Sequence, residues 1–327
     1  MQKMKTKVMR IHEYGGPEVL QWEALDIPAP ATGEAQIRHT AIGLNLIDTY
    51  KRTGLYPVAL PAVLGSEAAG VVEAVGDGVT DVKVGDRVAY ADHTSGSYSE
   101  YRNYDATRLV VIPDSVSDEV AAAIMLKGLT SWYLLRRSYA VQSGDTVLLY
   151  AAAGGVGSLA TQWAKQLGAT VIGVVSTDAK AALARSNGCD HIIMADADVA
   201  NEVRAITNGD GVAAVYDSVG RDTFFASLDS LRPHGTMVSF GNASGPVDPF
   251  SPAELAKRGS LYLTRPILFS FVNTRESLLR ACDELFRFVA SPGVNVRIGQ
   301  TYALQDTAQA HRDIEARKTT GSTILRP

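Results

Sequence analysis

The spacing of apolar residues changes character along the chain. Up to about residue 125 they alternate with polar ones in short runs broken by turns. Lys7-Val8-Met9-Arg10-Ile11-His12 runs into Gly15-Gly16-Pro17, and Glu34 to Ile42 alternates again. The most regular stretch, Val63 to Tyr90, sets β-branched doublets between Gly65, Gly70, Gly76, Gly78 and Gly85, where tight turns or bulges fall. The pattern predicts a compact, partly closed β domain. From about Asp118 to Arg137 apolar positions recur at three and four. That spacing predicts a helix bridging two domains, with Gly128 placed to interrupt it.

From Asp145 strands and helices alternate. Thr146–Tyr150 reads as a buried strand, Ala151–Gly157 as a small-residue turn and Gly157–Leu167 as a helix with Leu159, Trp163 and Leu167 on one face, capped by Gly168. Strands follow at Val171–Val175, His191–Met194, Val212–Tyr216, Thr236–Phe240 and Ser260–Thr264. Helices lie between them at Ala179–Ser186, Val199–Thr207 and Thr223–Leu231. This alternation with short links predicts an α/β fold, a doubly wound parallel sheet covered on both faces. From about residue 267 a helix (Thr274–Val289), a strand (Val296–Tyr302), a helix (Asp306–Arg317) and a strand (Thr323–Arg326) are expected to return to the first domain.

The segment from residue 146 to 175 is one βαβ unit whose turn reads Ala151-Ala152-Ala153-Gly154-Gly155-Val156-Gly157. Gly154 lets backbone approach a pyrophosphate, and Gly157 lets the helix pack close on its strand. The helix start then offers unpaired N–H groups and a positive dipole end to phosphate. Ala152 stands where the usual GxGxxG has its first glycine. A glycine cluster alone would serve equally as a tight turn; the strand before it and the helix after it favour a nucleotide. At the end of the second strand, where a free 2′-hydroxyl usually meets an acidic residue, the chain has Ser176-Thr177. Asp178 reads as a helix N-cap, and Lys180 follows a turn later. A hydroxyl and a lysine suit a 2′-phosphate, so NADPH is expected over NADH. Lys180 would serve equally as a solvated helix lysine.

Composition narrows the classes. The 327 residues suggest two domains, and roughly three quarters of the unfolded surface of such a chain can be buried. Hydrophobic residues at 46% and charged ones at 20% exclude a disordered protein and a coiled coil. The net charge of −4 gives no general affinity for nucleic acid or anionic membrane. No run reaches the ~20 apolar residues of a membrane span. Lys3, Lys5 and Lys7 are followed by no apolar core of a signal peptide. The two cysteines, Cys189 and Cys282, form no CxxC pair and fit a reducing, cytoplasmic setting.

Seven segments in order carry a resemblance over nearly the whole chain: AIGLNLIDTYKRTGLYP (41–57), GSEAAGVVEAVGDGVTDVKVGDRV (65–88), LKGLTSWYLLR (126–136), AAAGGVG (151–157), VYDSVGRDTF (215–224), MVSFGNASG (237–245) and SLYLTRP (260–266). The chain resembles the medium-chain dehydrogenase/reductase superfamily and, within it, the zinc-independent NADPH:quinone oxidoreductases related to ζ-crystallin. The resemblance implies a GroES-like catalytic domain over residues 1–125 and 267–327 and a Rossmann domain over 126–266, with the cofactor in the cleft between them. Zinc alcohol dehydrogenases of the superfamily have cysteine where Asn45 stands and histidine where Ser66 stands; Glu67 remains, and one carboxylate does not make a tetrahedral site. Without a Lewis acid to stabilise an alkoxide, hydride transfer needs an acceptor that is already electrophilic, such as a quinone or an activated enone.

The resemblance also implies roles. Asn45, Asp48 and Tyr50 line the nicotinamide end, with Asn45 and Tyr50 offering hydrogen bonds to ribose, carboxamide or the reduced quinone oxygen and Asp48 orienting neighbours. Each has a plainer reading too: turn former, cap, packing. Lys127 and Thr130 reach the cofactor from the bridging helix. Gly154, Gly155, Val156 and Gly157 form the phosphate turn. Ser176, Lys180 and Arg317 surround the 2′-phosphate, although Arg317 suits a helix C-terminus by itself. Ser218, Phe240, Gly241 and Arg265 match further cofactor positions. Some relatives carry a tyrosine near Ala195, so preference for NADPH is expected to be weaker here. Relatives dimerise through the edge strand at 261–266, which predicts a homodimer. Two other readings stand beside quinone reduction: reduction of an enone or alkenal double bond, and RNA binding as in some ζ-crystallin relatives.

Overall fold

The computed structural model describes residues 4–327. They divide into two compact units, 4–129 with 272–327, and 130–271.

The first unit opens with strands β1 (Met4–Ile11), β2 (Gln21–Ile27) and β3 (Glu34–Leu44), followed by the short helix α1 (Leu46–Thr53). Strands β4 (Ala62–Val63), β5 (Glu67–Val75), β6 (Arg87–Ala91), β7 (Tyr101–Asp105) and β8 (Val110–Val111) come next, and then helix α2 (Asp118–Tyr133). β2-β1-β4 form a small antiparallel sheet. β3 is the hub of the larger one: β5 pairs with it over residues 35–43 and β7 over residues 34–38, both antiparallel. Ile37, Ile42, Leu44, Leu64, Val88, Tyr90 and Tyr98 fill the core beneath, each fully buried. Burying an aliphatic side chain of this size contributes about 1.5–3 kcal/mol.

α2 is not interrupted at Gly128. A Cβ there would lie 2.6 Å from Leu285 Cδ1, so the glycine marks close packing on a neighbouring helix rather than a break. The helix widens into a π-helical segment only at Leu134–Ser138. The division between units therefore falls inside α2, after Leu129, and not after residue 125.

The second unit is a six-stranded, all-parallel sheet. Its elements are β9 (Thr146–Tyr150), α3 (Gly155–Gln166), β10 (Thr170–Val175), α4 (Asp178–Ser186), β11 (His191–Met194), α5 (Val199–Ile206), β12 (Val212–Asp217), α6 (Phe224–Asp229), β13 (Leu231–Ser239), α7 (Ala253–Lys257), β14 (Tyr262–Thr264) and α8 (Leu268–Phe271). The strand order β11-β10-β9-β12-β13-β14 reverses direction at β9. This is the doubly wound Rossmann arrangement, in which ligands sit beyond the C-terminal ends of the strands at the reversal. The expected helix 223–231 ends sooner, and β13 begins at Leu231 instead of Thr236. Arg232 to Gly235 reads as a turn yet sits inside the strand as a bulge: the register jumps from Val212↔Leu231 to Ala214↔Thr236 and His234 has φ +60°. α8 belongs to this unit, where Phe271 stacks on Tyr133 at 5.1 Å, so the second division falls at 271 and not 266.

The chain then returns to the first unit with α9 (Arg275–Val289), β15 (Ile298–Ala303), α10 (Thr307–Glu315) and β16 (Ser322–Arg326). β16 joins β3 antiparallel, and β15 extends the large sheet beyond it. No helix among the described residues is long and apolar enough to cross a membrane.

Candidate active site

α1 is an inverted amphipath. Its buried side chains are Asp48, Thr49, Lys51 and Arg52, while Leu46, Ile47 and Tyr50 are only partly covered. A helix can bury three charged residues only if each finds partners. Asp48 closes the first turn by accepting the Asn45 backbone N–H at 3.0 Å, and it takes the Ser66 hydroxyl at 2.6 Å and the Tyr98 hydroxyl at 3.0 Å on its two oxygens. Burial pushes its carboxyl above the ordinary range, against the pull of Lys51 and these hydrogen bonds. Arg52, 1% exposed, is paired bidentate with Glu315 at 2.6 and 3.0 Å and donates to His311 Nδ1 at 3.0 Å. Tyr50 lies edge-on to Tyr56, ring centroids 5.4 Å apart.

Glu67, at the start of β5, holds the other side of Asn45. One carboxylate oxygen accepts the Asn45 side-chain amide at 2.9 Å and the Lys127 ammonium; the other accepts the Leu126 backbone N–H at 2.6 Å. A carboxylate can only accept, so the Asn45 amide must present its nitrogen to Glu67. One hydrogen that the sequence reading offered to a substrate is thus committed inside the protein. Thr130 lies one turn beyond Lys127 on α2 and is 9% exposed.

The superfamily's zinc does not fit these residues. Among the described residues no three His, Cys, Asp or Glu stand close enough to hold a metal ion. Asn45 and Ser66 replace sulfur and imidazole donors, and the one carboxylate nearby already carries the Lys127 ammonium.

In the second unit a glycine turn leads from β9 into α3. Gly154 precedes α3, whose first intrahelical bond runs from Ser158 N–H to the Gly154 carbonyl at 2.8 Å. The N–H groups of Gly155, Val156 and Gly157 come before it and point out of the helix start. A Cβ on Gly157 would lie 2.2 Å from the Ala151 carbonyl oxygen, so only glycine lets α3 lie this close to the end of β9. The start of α3 therefore fits a pyrophosphate.

At the end of β10, Lys180 Nζ reaches Ser176 Oγ at 3.5 Å. Thr177, not Asp178, is the N-cap of α4: its side chain accepts the Lys180 backbone N–H, and Asp178 is the first helical residue. Ala195 follows β11, its N–H bonded to the Val175 carbonyl at 2.8 Å, and brings only a methyl group. Ser218, Phe240, Gly241 and Arg265 gather at the ends of β12–β14. Phe240 N–H bonds the Asp217 carbonyl at 2.8 Å, the Ser218 carbonyl takes Ala243 N–H at 3.2 Å, and Arg265 donates to the Gly241 carbonyl at 3.0 Å. Arg317 lies in the first unit, just past α10, in the left-handed region at φ +58°.

Sequence reasoning missed the residues that hold these sites. Asp217, fully buried, accepts Val219 and Gly220 N–H groups and the Thr223 and Ser227 hydroxyls at 2.7–3.1 Å, fixing the turn that carries Ser218. Tyr98 and His311 come from far along the chain to meet Asp48 and its helix neighbours Lys51 and Arg52, and no local spacing marks that meeting.

Residues 31–114 match the alcohol dehydrogenase GroES-like domain and residues 155–284 the zinc-binding dehydrogenase family. A quinone oxidoreductase of Pseudomonas aeruginosa is 50% identical over 98% of this chain and 99% of its own length. The chain belongs to the quinone oxidoreductases of the medium-chain dehydrogenase/reductase superfamily. The crystal structure of Escherichia coli quinone oxidoreductase complexed with NADPH matches it with a TM-score of 0.96 at 47% identity, over 98% of this chain and all of that one. A 2-haloacrylate reductase of a Burkholderia species is 44% identical over 97% of this chain and 98% of its own length. The quinone oxidoreductase family thus accounts for both halves of the fold, the GroES-like sheet and the Rossmann sheet.

Proposed function

We propose that this quinone oxidoreductase reduces quinones with NADPH. The observation that carries the proposal is the phosphate turn at α3 together with Ser176 and Lys180, within a chain half identical to named quinone oxidoreductases. NADPH, when bound, supplies the hydride. The N–H groups of Gly155, Val156 and Gly157 hold its pyrophosphate, and Ser176, Lys180 and Arg317 its 2′-phosphate. Ser218, Phe240, Gly241, Arg265, Lys127 and Thr130 complete the cofactor site. Asn45, held by Glu67, and Tyr50 face the nicotinamide and the acceptor, and Asp48 fixes the start of α1 that carries them. The methyl of Ala195 leaves the preference over NADH weaker than a tyrosine would. A quinone takes the hydride without a Lewis acid because its own ring delocalises the charge.

The 2-haloacrylate reductase among the relatives favours a second reading, reduction of an activated double bond. A panel of benzoquinones, naphthoquinones and enones assayed with NADPH and NADH decides. Faster turnover of enones than of every quinone, or a higher kcat/KM with NADH, refutes the first reading.

The assembly belongs to the same proposal. β14 ends its sheet, with Tyr262 and Ile267 each 63% exposed, and a second copy covers this edge in a twofold homodimer. Light scattering at micromolar concentration should give about twice 34.9 kDa. The free, buried thiols of Cys189 and Cys282 suit a cytoplasmic enzyme.

A further inference from the structure

The turn between β1 and β2 is fastened to the C-terminal end of α1. Gly15 donates its N–H to the Arg52 carbonyl at 3.1 Å, and its own carbonyl accepts Arg52 Nε at 3.0 Å. Gly54 ends α1 in the left-handed region at φ +82°, and a Cβ there would lie 2.9 Å from Tyr14 Cγ. Glycine at this position lets the Tyr14 ring lie against the helix end. From that seat the Tyr14 hydroxyl spends both its donor and its acceptor on one residue of the loop after α1. It donates to the Val58 carbonyl at 2.6 Å and accepts the Val58 N–H at 3.0 Å.

Little else holds that loop. Pro57 has no N–H, and among the described residues the backbone from Pro57 to Leu60 makes no hydrogen bond besides these two. The segment Leu55–Pro61 carries no charged side chain, and Leu55 and Leu60 are 40% and 37% exposed. Tyr56 sits inside it. On the N-terminal side Tyr56 is fixed by its N–H, bonded to the Tyr50 carbonyl at 3.1 Å; on the C-terminal side it is fixed through Val58 and Tyr14. The edge-on meeting of the Tyr50 and Tyr56 rings is therefore held from both ends.

We infer that Tyr14 is a positioning residue for the acceptor: through Val58 it keeps Tyr56 edge-on to Tyr50, and the paired rings seat a fused two-ring quinone. The inference rests on the proposed quinone reduction, in which Tyr50 faces the acceptor. A single-ring quinone at Tyr50 is covered by that ring, whereas the second ring of a naphthoquinone extends onto the loop and meets Tyr56. An untethered loop is in place only part of the time, and apparent affinity falls by that fraction. Once the quinone is bound the loop is in place, so turnover of the bound complex does not change.

Tyr14→Phe keeps the ring over Gly54 and removes both hydrogen bonds. With NADPH it should raise the KM for a naphthoquinone about 10-fold, the worth of two such bonds, and that for benzoquinone less than about threefold. Both kcat and the Kd for NADPH should stay within about twofold, as expected when only acceptor binding is touched. In a Tyr56→Ala background Tyr14→Phe should add less than about twofold, because a residue that acts through Tyr56 has nothing left to position. An unchanged naphthoquinone KM in Tyr14→Phe, or the full effect in the Tyr56→Ala background, overturns the inference. Amide-resolved hydrogen exchange tests the tether without turnover. Relative to intrinsic rates, the wild-type Val58 N–H should exchange about 10-fold more slowly than those of Ala59 and Leu60, which have no partner among the described residues. Equal exchange at the three amides overturns the tether, even if a variant fails to fold. Absence of any NADPH–quinone turnover in the wild type overturns the proposed function and with it the acceptor seat, while the exchange rates still decide the tether.

Discussion

Glu67 accepts the side-chain amide of Asn45 at 2.9 Å, on the oxygen that also meets the Lys127 ammonium. Glu67 is wholly buried and Lys127 is 6% exposed, so each charge depends on the other. Glu67→Gln removes the charge from beside Lys127 and turns one of two acceptor oxygens into a donor, leaving Asn45 and Lys127, or the Leu126 N–H, without its acceptor. It should cost about 3–5 kcal/mol, the usual cost of removing one partner of a buried pair. The double variant Glu67→Gln/Lys127→Met, which buries no net charge, should recover most of that loss. Urea midpoints of the two variants test this, and equal destabilisation would refute the pairing argument.

The parts of the molecule written as local patterns were legible in the sequence. The βαβ unit of residues 146–175 has a strand period, a glycine turn and a helical period in series, and the structure places all three within a residue or two. Arg232–Gly235 was not legible: β13 pairs with β12 at Leu231 and again from Thr236, so these four residues bulge between two paired flanks of one strand. The inside of the first site was not legible either. In LIDTYKRT the polar residues look outward by any hydrophobic period, yet they turn inward because Ser66, Tyr98, His311 and Glu315 wait there from other segments. A buried polar helix face is decided by distant partners, and periodicity carries no record of them.

Lys180 Nζ, on the first turn of α4, lies 3.5 Å from Ser176 Oγ just past the end of β10. Lys180→Ala should raise the Kd for NADPH about 10-fold, the loss of one charge-assisted contact to a phosphate, and leave that for NADH within twofold. Titration by cofactor fluorescence measures both. A parallel change for the two cofactors would remove Lys180 from the 2′-phosphate site.

Two histidines make folding sensitive to acid. His39, 3% exposed, bonds the Ser99 carbonyl and Tyr90, and burial, with Arg102 nearby, lowers its pKa to about 4; His311 is lowered to about 3. Both are neutral in the fold, whereas the unfolded chain protonates them near pH 6.5. Stability is therefore complete above that pH and is lost as pH falls toward 4. With two extra protons bound by the unfolded state, the slope from this pair approaches about 2.7 kcal/mol per pH unit. Urea unfolding at pH 7.5, 5.5 and 4.5 gives the slope directly, and His39→Gln should reduce it by about half. A midpoint unchanged between pH 7.5 and 4.5 would contradict the burial of neutral imidazoles.

Gly154 and Gly157 are three residues apart in one turn, yet their substitutions should behave differently. A Cβ at 157 would meet the Ala151 carbonyl at 2.2 Å and Ala152 Cα at 2.8 Å, both backbone atoms that cannot swing aside. Gly157→Ala must push α3 off the end of β9, and overpacking of this kind costs about 1–3 kcal/mol. A Cβ at 154 meets only the Ala151 carbonyl at 3.2 Å, and its backbone, at φ −81° and ψ 179°, is open to any residue. Gly154→Ala should leave the thermal midpoint within a degree or two while placing a methyl group where the pyrophosphate approaches. Binding of NADPH should then weaken at least 10-fold in both variants, and stability should fall only in Gly157→Ala. If Gly154→Ala binds NADPH as tightly as the wild type, the pyrophosphate does not approach the backbone at this residue, and the dinucleotide must be held elsewhere along α3.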